Sequence, residues 1–477
     1  MNETNRIHVS NEVGTLRRLL VHSPDSGLGK VVPSKAQDWL FEDIVHLDTM
    51  RREEYDYYLK VLLYFLDPDK VKGKLAAIDA DLNRSFFKPE HPNFHHSDKV
   101  IEVQKLLAEF LENKEIHDQL IASVCAIEHC TMEVQQTLLD LPSIELAKTL
   151  ISGTLPNGKM IFPPVPNLIF TRDIGITINN SVLLNKPAKQ ARTREALLAK
   201  YIFFYHPIFA KIRENIIEIP ENEHHFLMPD EEKESARTTL EGGDVMMIAP
   251  NHLLIGVSER TTAQAAKQVI EALFARNVLD KVTVVKIPKK RDYMHIDTVF
   301  TQVKRNMWVL LGSIARNDFN SDAVLDSLSD KNNNAETVKI VQFRKGEELP
   351  EIIEHLEDLL RQISMEDFGC RRDEVQFIYS GNREFPYGAR EQWTDSCNLL
   401  ALKEGVVIGY DRNDKTLEAF RRHGFRTVKA KDVLEEFEHG LNPHDLTDTF
   451  IMLPSAELSR ARGGSHCMSM PILRDFL

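Results

Sequence analysis

No apolar run in this chain approaches the length of a membrane span, although 42% of its 477 residues are hydrophobic. A membrane-spanning role is not expected. The opening stretch, MNETNRIHVSNEVGTLRRLL, is mixed and charged, without the apolar centre of a secretion signal, and a cytosolic location is the expectation. Positive charge is in deficit. Lys and Arg number 59 against 72 Asp and Glu, for a net charge of −13, which argues against a nucleic-acid binder with a broad basic surface. A local basic pocket for a small anion is still compatible with that total. Cysteine is scarce as well: Cys125, Cys130, Cys370, Cys397 and Cys467 are an odd set with no C-x-x-C pair. A disulfide framework is therefore not expected, and the thiols read as free.

What the chain does have is a concealed repeat. DIGITINNSVLLN from Asp173, DVMMIAPNHLLIGVS from Asp244, DTVFTQVKRNMWVLLG from Asp297 and NLLALKEGVVIGYD from Asn398 share one layout. Two short apolar runs flank a polar turn at Asn179-Asn180, Pro250-Asn251, Lys304 to Asn306 and Glu404-Gly405. Such runs read as hairpins, and in three of the four a helical stretch follows. RRLLVHSP (Arg17 to Pro24) looks like part of a further unit, and MSMPILRDFL (Met468 to Leu477) like the segment that closes the set. Strand-helix units that close around an axis gather equivalent positions at one end. Asp173, Asp244 and Asp297 stand just before a first strand, and Cys467 holds a similar place.

Residues 50–155 differ. Apolar residues there recur at helical spacing, and the segment reads as a helical insertion into a catalytic unit made of residues 1–49 and 156–477. Residues 313–370 read as an elaboration, with a polar loop at SDKNNNAET and a helix in PEIIEHLEDLLRQI.

Several motifs carry chemistry, each with a plainer alternative. The acid in FTRD (Asp173) can be a turn former. EGGD (Glu241 to Asp244) can be an ordinary glycine turn, or a loop that lets the backbone approach a ligand. HID places His295 and Asp297 on one face of an extended segment. They could begin a metal site, completed by Glu241, Asp244 or Cys467, or form a proton-transfer pair, or be a satisfied interior histidine. Cys467 in ARGGSHCMSMP can be a buried structural thiol. A nucleophilic thiol needs a histidine partner, and His295 suits that role better than His466, which an extended strand would turn to the other face. Arg260 in GVSERT and Arg194 in ARTREALL lie near helix starts, where an anionic group is well received.

PNLIFTRD, EGGD, GVSERT, MHIDTVF, REQWTDSCN and ARGGSHCMSMP occur in one order over most of the chain. Together they resemble the arginine deiminases of the guanidino-group-modifying superfamily. The resemblance implies an α/β fold, a five-bladed ββαβ propeller of pseudo-repeats with an inserted helical subdomain. It implies hydrolysis of free L-arginine to L-citrulline and ammonia through a covalent thiouronium on Cys467, without cofactor or metal. His295 would be the general acid/base, Asp173 and Asp297 would hold the guanidinium, and Glu241 would assist. Asn167, Arg194, Arg260 and Arg462 would bind the substrate carboxylate, with Asp244 at the same site. The expected partner is the small-molecule substrate, with no nucleic acid or membrane and with room for a homo-oligomer. The alternatives are another Cys-dependent guanidino hydrolase or amidinotransferase acting on methylated arginine or agmatine, a non-catalytic arginine-binding protein, and a metallohydrolase using His295 and Asp297.

Overall fold

Four β-hairpins stand where the paired apolar runs lie. They are Gly175–Ile178 with Ser181–Leu184, Val245–Ala249 with His252–Val257, Phe300–Lys304 with Met307–Leu310, and Leu400–Lys403 with Val406–Tyr410. These come from a computed structural model that describes residues 6–36, 38–39, 43–221, 223–233, 237–315 and 338–477. Asn179 and Gly405 make two of the turns at φ of 51° and 74°, the left-handed region open to glycine and tolerated by asparagine. Strand residues of the first two hairpins are buried on both faces, which is why these strands read as nearly continuous apolar runs.

Each hairpin continues through a helix to a strand parallel to its second member. Thr193–Tyr205 leads to Ile216–Ile217, Ala263–Ala275 to Lys281–Lys286, Leu356–Glu366 to Gln376–Tyr379, and Asp414–Arg422 towards Arg426–Lys429 and Thr449–Leu453. The fifth sheet joins the two ends of the chain. Met470–Arg474 runs antiparallel to Leu16–Val21, which runs parallel to Val100–Glu102. The result is a mixed α/β fold with five sheets among the described residues. No helix among those residues is long and apolar enough to cross a membrane.

Two expectations need correction. Residues 50–155 are largely helical, but Val100–Glu102 interrupts them and belongs to the fifth sheet. Among the described residues the buried side chains of the inserted helices share clusters with the sheets. Leu59, Leu62 and Leu63 pack with Ile408 and Leu434, while Leu107, Leu120 and Leu150 pack with Ile174 and Val182. A three-residue strand leaves no period to read, so the sequence reads as an uninterrupted helical insertion. Within 313–370, Lys339–Arg344 and Glu351–Ile353 extend the second hairpin's sheet, and the helix expected from Pro350 begins at Leu356. The stretch SDKNNNAET lies outside the described residues.

Candidate active site

The strand starts converge as the repeat requires. Asp173 lies in the single turn Thr171–Ile174, Asp244 in Gly242–Asp244 and Asp297 in Ile296–Thr298, each just before the first strand of its hairpin. Asn398 precedes the fourth hairpin at Leu400, and Cys467 precedes Met470. Close contacts dictate the glycines between them. A Cβ on Gly243 would come within 2.4 Å of His295 Nδ1, and one on Gly464 within 2.6 Å of the Asn398 carbonyl. The glycine turns are therefore the places where these segments touch.

Cys467 is buried, and two groups hold its sulfur. Asn398 Nδ2 donates to Sγ at 3.1 Å, and the thiol donates to Asp297 Oδ2 at 3.4 Å. Asn398 also accepts the Cys467 backbone N–H through Oδ1 at 3.0 Å, so one amide orients both the residue and its sulfur. Burial, then the charges of Asp297, Asp173 and Asp395, hold the thiol well above the ordinary cysteine range. Asp297 Oδ2 also meets His466 Nδ1 at 2.9 Å, and His466 Nε2 lies 3.2 Å from Glu12 Oε2. Asp297 Oδ1 is different: it is buried with no hydrogen-bond partner. A buried carboxylate oxygen left unpaired is costly, and a bound N–H donor would satisfy it.

A second group of charges completes the site. Arg192 Nη1 donates to Asp173 Oδ2 at 2.8 Å and to Glu241 Oε2 at 3.1 Å, while its Nε donates to Glu195. Asp173 Oδ1 accepts the Gly243 N–H at 3.0 Å. His295 Nε2 lies 3.0 Å from Glu241 Oε2. Burial opposes the charged form of His295. The Asp173 charge, the Glu241 hydrogen bond and the Asp244 and Glu241 charges outweigh it and raise the imidazole to about 10. Burial would likewise raise Glu241, but Arg192, Arg260 and His295 carry it well below the usual carboxylate range. The resting site thus pairs a protonated imidazole with a protonated thiol. Ligand atoms of Asp173, Glu241 and His295 lie within 4.8 Å of one another, close enough to hold a metal ion. Arg192 already bonds both carboxylates, so an ion there would have to displace a guanidinium.

Asn167, Arg260, Arg462, Asp173, Glu241, His295 and Cys467 line one central pocket with about 30 Å³ of free space, too tight for an amino acid without side-chain movement. Arg260 also lines an adjoining cavity of about 710 Å³, which makes it the link to the outside. Arg462 sits at φ 61° with its guanidinium 3.5 Å from the Trp393 ring centroid. Asn167 donates to the Trp39 carbonyl at 2.8 Å.

Two expected residues lie apart. Arg194 bonds Glu128 and the carbonyls of Leu150 and Pro163, and it lines the outer cavity. Arg192 takes the central place, because the helix begun at Thr193 turns the two side chains in different directions. Asp244 is spent on structure. Its Oδ1 accepts the Ile296 N–H at 3.0 Å and its Oδ2 the Ser258 hydroxyl at 2.6 Å, and burial lifts it to about 6. Asn398 carries no catalytic signature in the sequence, although the fourth repeat begins at it, in register with Asp173 and Asp297.

A buried thiol beside carboxylates, with the Asp297 Oδ1 acceptor unsatisfied and a protonated histidine in the same pocket, has the chemistry of a cysteine-centred site suited to a cation. The chain's family is a narrower matter. The sequence pattern of the family described as arginine deiminase matches residues 38–474, and the chain belongs to that family. An arginine deiminase of Borreliella afzelii is 28% identical over 479 residues, 99% of this chain and 98% of its own. One of Bacillus cereus is 28% identical over 493 residues, 98% of each chain. Among solved structures, SxtG, an amidinotransferase of Microseira wollei in the saxitoxin pathway, is 10% identical over 99% of this chain and 98% of its own, with a TM-score of 0.43.

Proposed function

We propose that this chain hydrolyses the guanidino group of free L-arginine to L-citrulline and ammonia, with Cys467 as nucleophile. The observation that carries the reading is the orphaned Asp297 Oδ1 beside a buried thiol. A guanidinium is planar and cationic, and carboxylates take its N–H groups in pairs. Asp297 and Asp173 would hold the fork, fixing its carbon before Sγ. Arg192 would yield its bonds to Asp173 and Glu241 as the substrate enters, and would turn with Arg260, Arg462 and Asn167 towards the substrate carboxylate.

The charge logic follows. The same carboxylates that keep the thiol protonated are neutralised by the bound cation, so the thiol releases its proton to solvent as substrate arrives and becomes the thiolate. Asn398 steadies it with a neutral donor; a cationic donor in that place would repel the substrate. Sγ bonds to the guanidinium carbon, giving a tetrahedral adduct. His295 passes its proton to one nitrogen, the C–N bond breaks, and ammonia leaves. The neutral imidazole then takes a proton from water, which adds to the thiouronium carbon. The adduct's hydroxyl gives its proton to solvent, where ammonia takes it up, as the C–S bond breaks and releases citrulline and the thiolate. A five-bladed arrangement of the five sheets and a cytosolic location belong to the same proposal.

Turnover of arginine, followed as citrulline in the wild type and Cys467→Ala, tests the reading. Loss of turnover with the fold retained is expected. Normal turnover in Cys467→Ala refutes it, and citrulline-type product from agmatine but not arginine would replace the substrate.

A further inference from the structure

Away from the central pocket, and sharing none of its lining residues, lies a cavity of about 820 Å³. It opens between the first strand, the segment after Tyr64 and the C-terminal tail. Its charge runs against that of the whole chain. Six Lys or Arg residues and His444 line it, against three Asp. One of the acids, Asp475, is already engaged by Arg17 at 2.6 Å.

Two of the arginines are buried without an ion pair, although the charges of Asp98 and Glu12 reach Arg18 and Arg474 from further off. Arg18 is 4% exposed, and its guanidinium bonds only the carbonyls of Asp98 at 2.9 Å and Arg6 at 3.3 Å. Arg474 is 2% exposed and donates to the Gly14 carbonyl at 2.7 Å. Its Nε and Nη2 are buried with no hydrogen-bond partner. Neither arginine has a carboxylate within ion-pair distance among the described residues, and the same holds for Lys70 and Lys99 in the cavity wall. Buried guanidinium groups with no carboxylate in contact are costly, so a wall built this way calls for an anion. His444 senses the excess. Burial, then the charges of Arg17 and Lys403, hold its imidazole below the ordinary value.

The walls are not only basic. The Phe65 and His444 rings meet edge to face at 5.9 Å, and the Arg6 guanidinium lies 5.4 Å from the Phe476 ring centroid. The volume falls within the range of small-molecule sites, roughly 300–1,000 Å³. We propose that this cavity binds a small organic polyanion that carries phosphate groups on a body with a planar ring, of nucleoside-phosphate size. Lysines and arginines take the phosphates, and the aromatic walls take the ring.

Calorimetric titration of the full chain at fixed ionic strength tests this, with ATP and pyrophosphate as probes. One saturable ATP site per chain is expected, with a Kd below about 1 mM. The double variant Lys70→Glu/Lys99→Glu should weaken it at least tenfold while leaving citrulline formation unchanged. Lys99→Gln alone should weaken it less, and serves if the double variant melts early. Absence of saturable ATP binding, wild-type affinity in the double variant, or displacement of ATP by arginine would overturn the proposal. Pyrophosphate binding as tightly as ATP would remove the ring's part in it.

Discussion

The surroundings of the Cys467 thiol and the second cavity differ in what they leave unsatisfied. Beside the thiol the orphaned atom is an acceptor, Asp297 Oδ1, while elsewhere in the central lining Arg260 keeps its Nε buried without a hydrogen-bond partner. In the far cavity the orphans are donors, Nε and Nη2 of Arg474. Folding has buried charge in both places, and an opposite charge from outside would complete each. On the readings proposed above, the centre takes a cation and the second cavity an anion. A net charge of −13 says nothing of this division, because it sums over both.

Changes that break the comparison at the centre should have the largest effect. Cys467→Ala removes the proposed nucleophile, and kcat should fall by at least about 10³-fold, measured as citrulline released. Asp297→Asn keeps the shape but removes the charge proposed to hold the guanidinium. A loss of about 10²–10³-fold in kcat/KM is expected, read in steady-state assays. Asn398→Asp keeps the acceptor for the Cys467 N–H and replaces the sulfur's donor with an acid. A charged hydrogen bond is worth about 1.5–3 kcal/mol, or about 10–100-fold in kcat, with melting temperature as the control for folding. A variant within threefold of wild type would return Asn398 to a purely structural role.

The histidine gives a finer test through pH. His295 is raised to about 10 by neighbouring carboxylates against the pull of burial. The competent free enzyme carries the imidazolium, so kcat/KM should decline as pH rises through about 10. Glu241→Gln removes one of the charges that raise His295, and the decline should begin at lower pH. An unmoved alkaline limb would assign that titration to another group. The smallest effect on turnover should come from Lys70→Glu/Lys99→Glu, which alters only the far cavity.

Much of this site was legible because the repeat has a register. An acid placed before each first strand marks Asp173 and Asp297, and Cys467 follows the same rule. The hairpins were legible for a related reason: period and turn chemistry lie within a dozen residues. Other features depended on tertiary context. Arg192 and Arg194 are two residues apart at a helix entry, and only the packing of that helix decides which faces the centre. Asp244 keeps the register but turns its carboxylate to Ser258 and the Ile296 N–H. Val100–Glu102 is a strand because Leu16–Val21 lies beside it, a partner some eighty residues away in sequence. Asn398 was in plain register and was passed over because an amide does not announce chemistry as a carboxylate does.

The central claim is a covalent bond between Cys467 Sγ and the guanidinium carbon. Rapid acid quench of the enzyme turning over arginine, followed by peptide mass spectrometry, reads it directly. The account predicts a substrate-derived adduct on the peptide containing Cys467, present during turnover and gone once arginine is exhausted. An adduct on a different residue, or full turnover with none on Cys467 at any quench time, would contradict it.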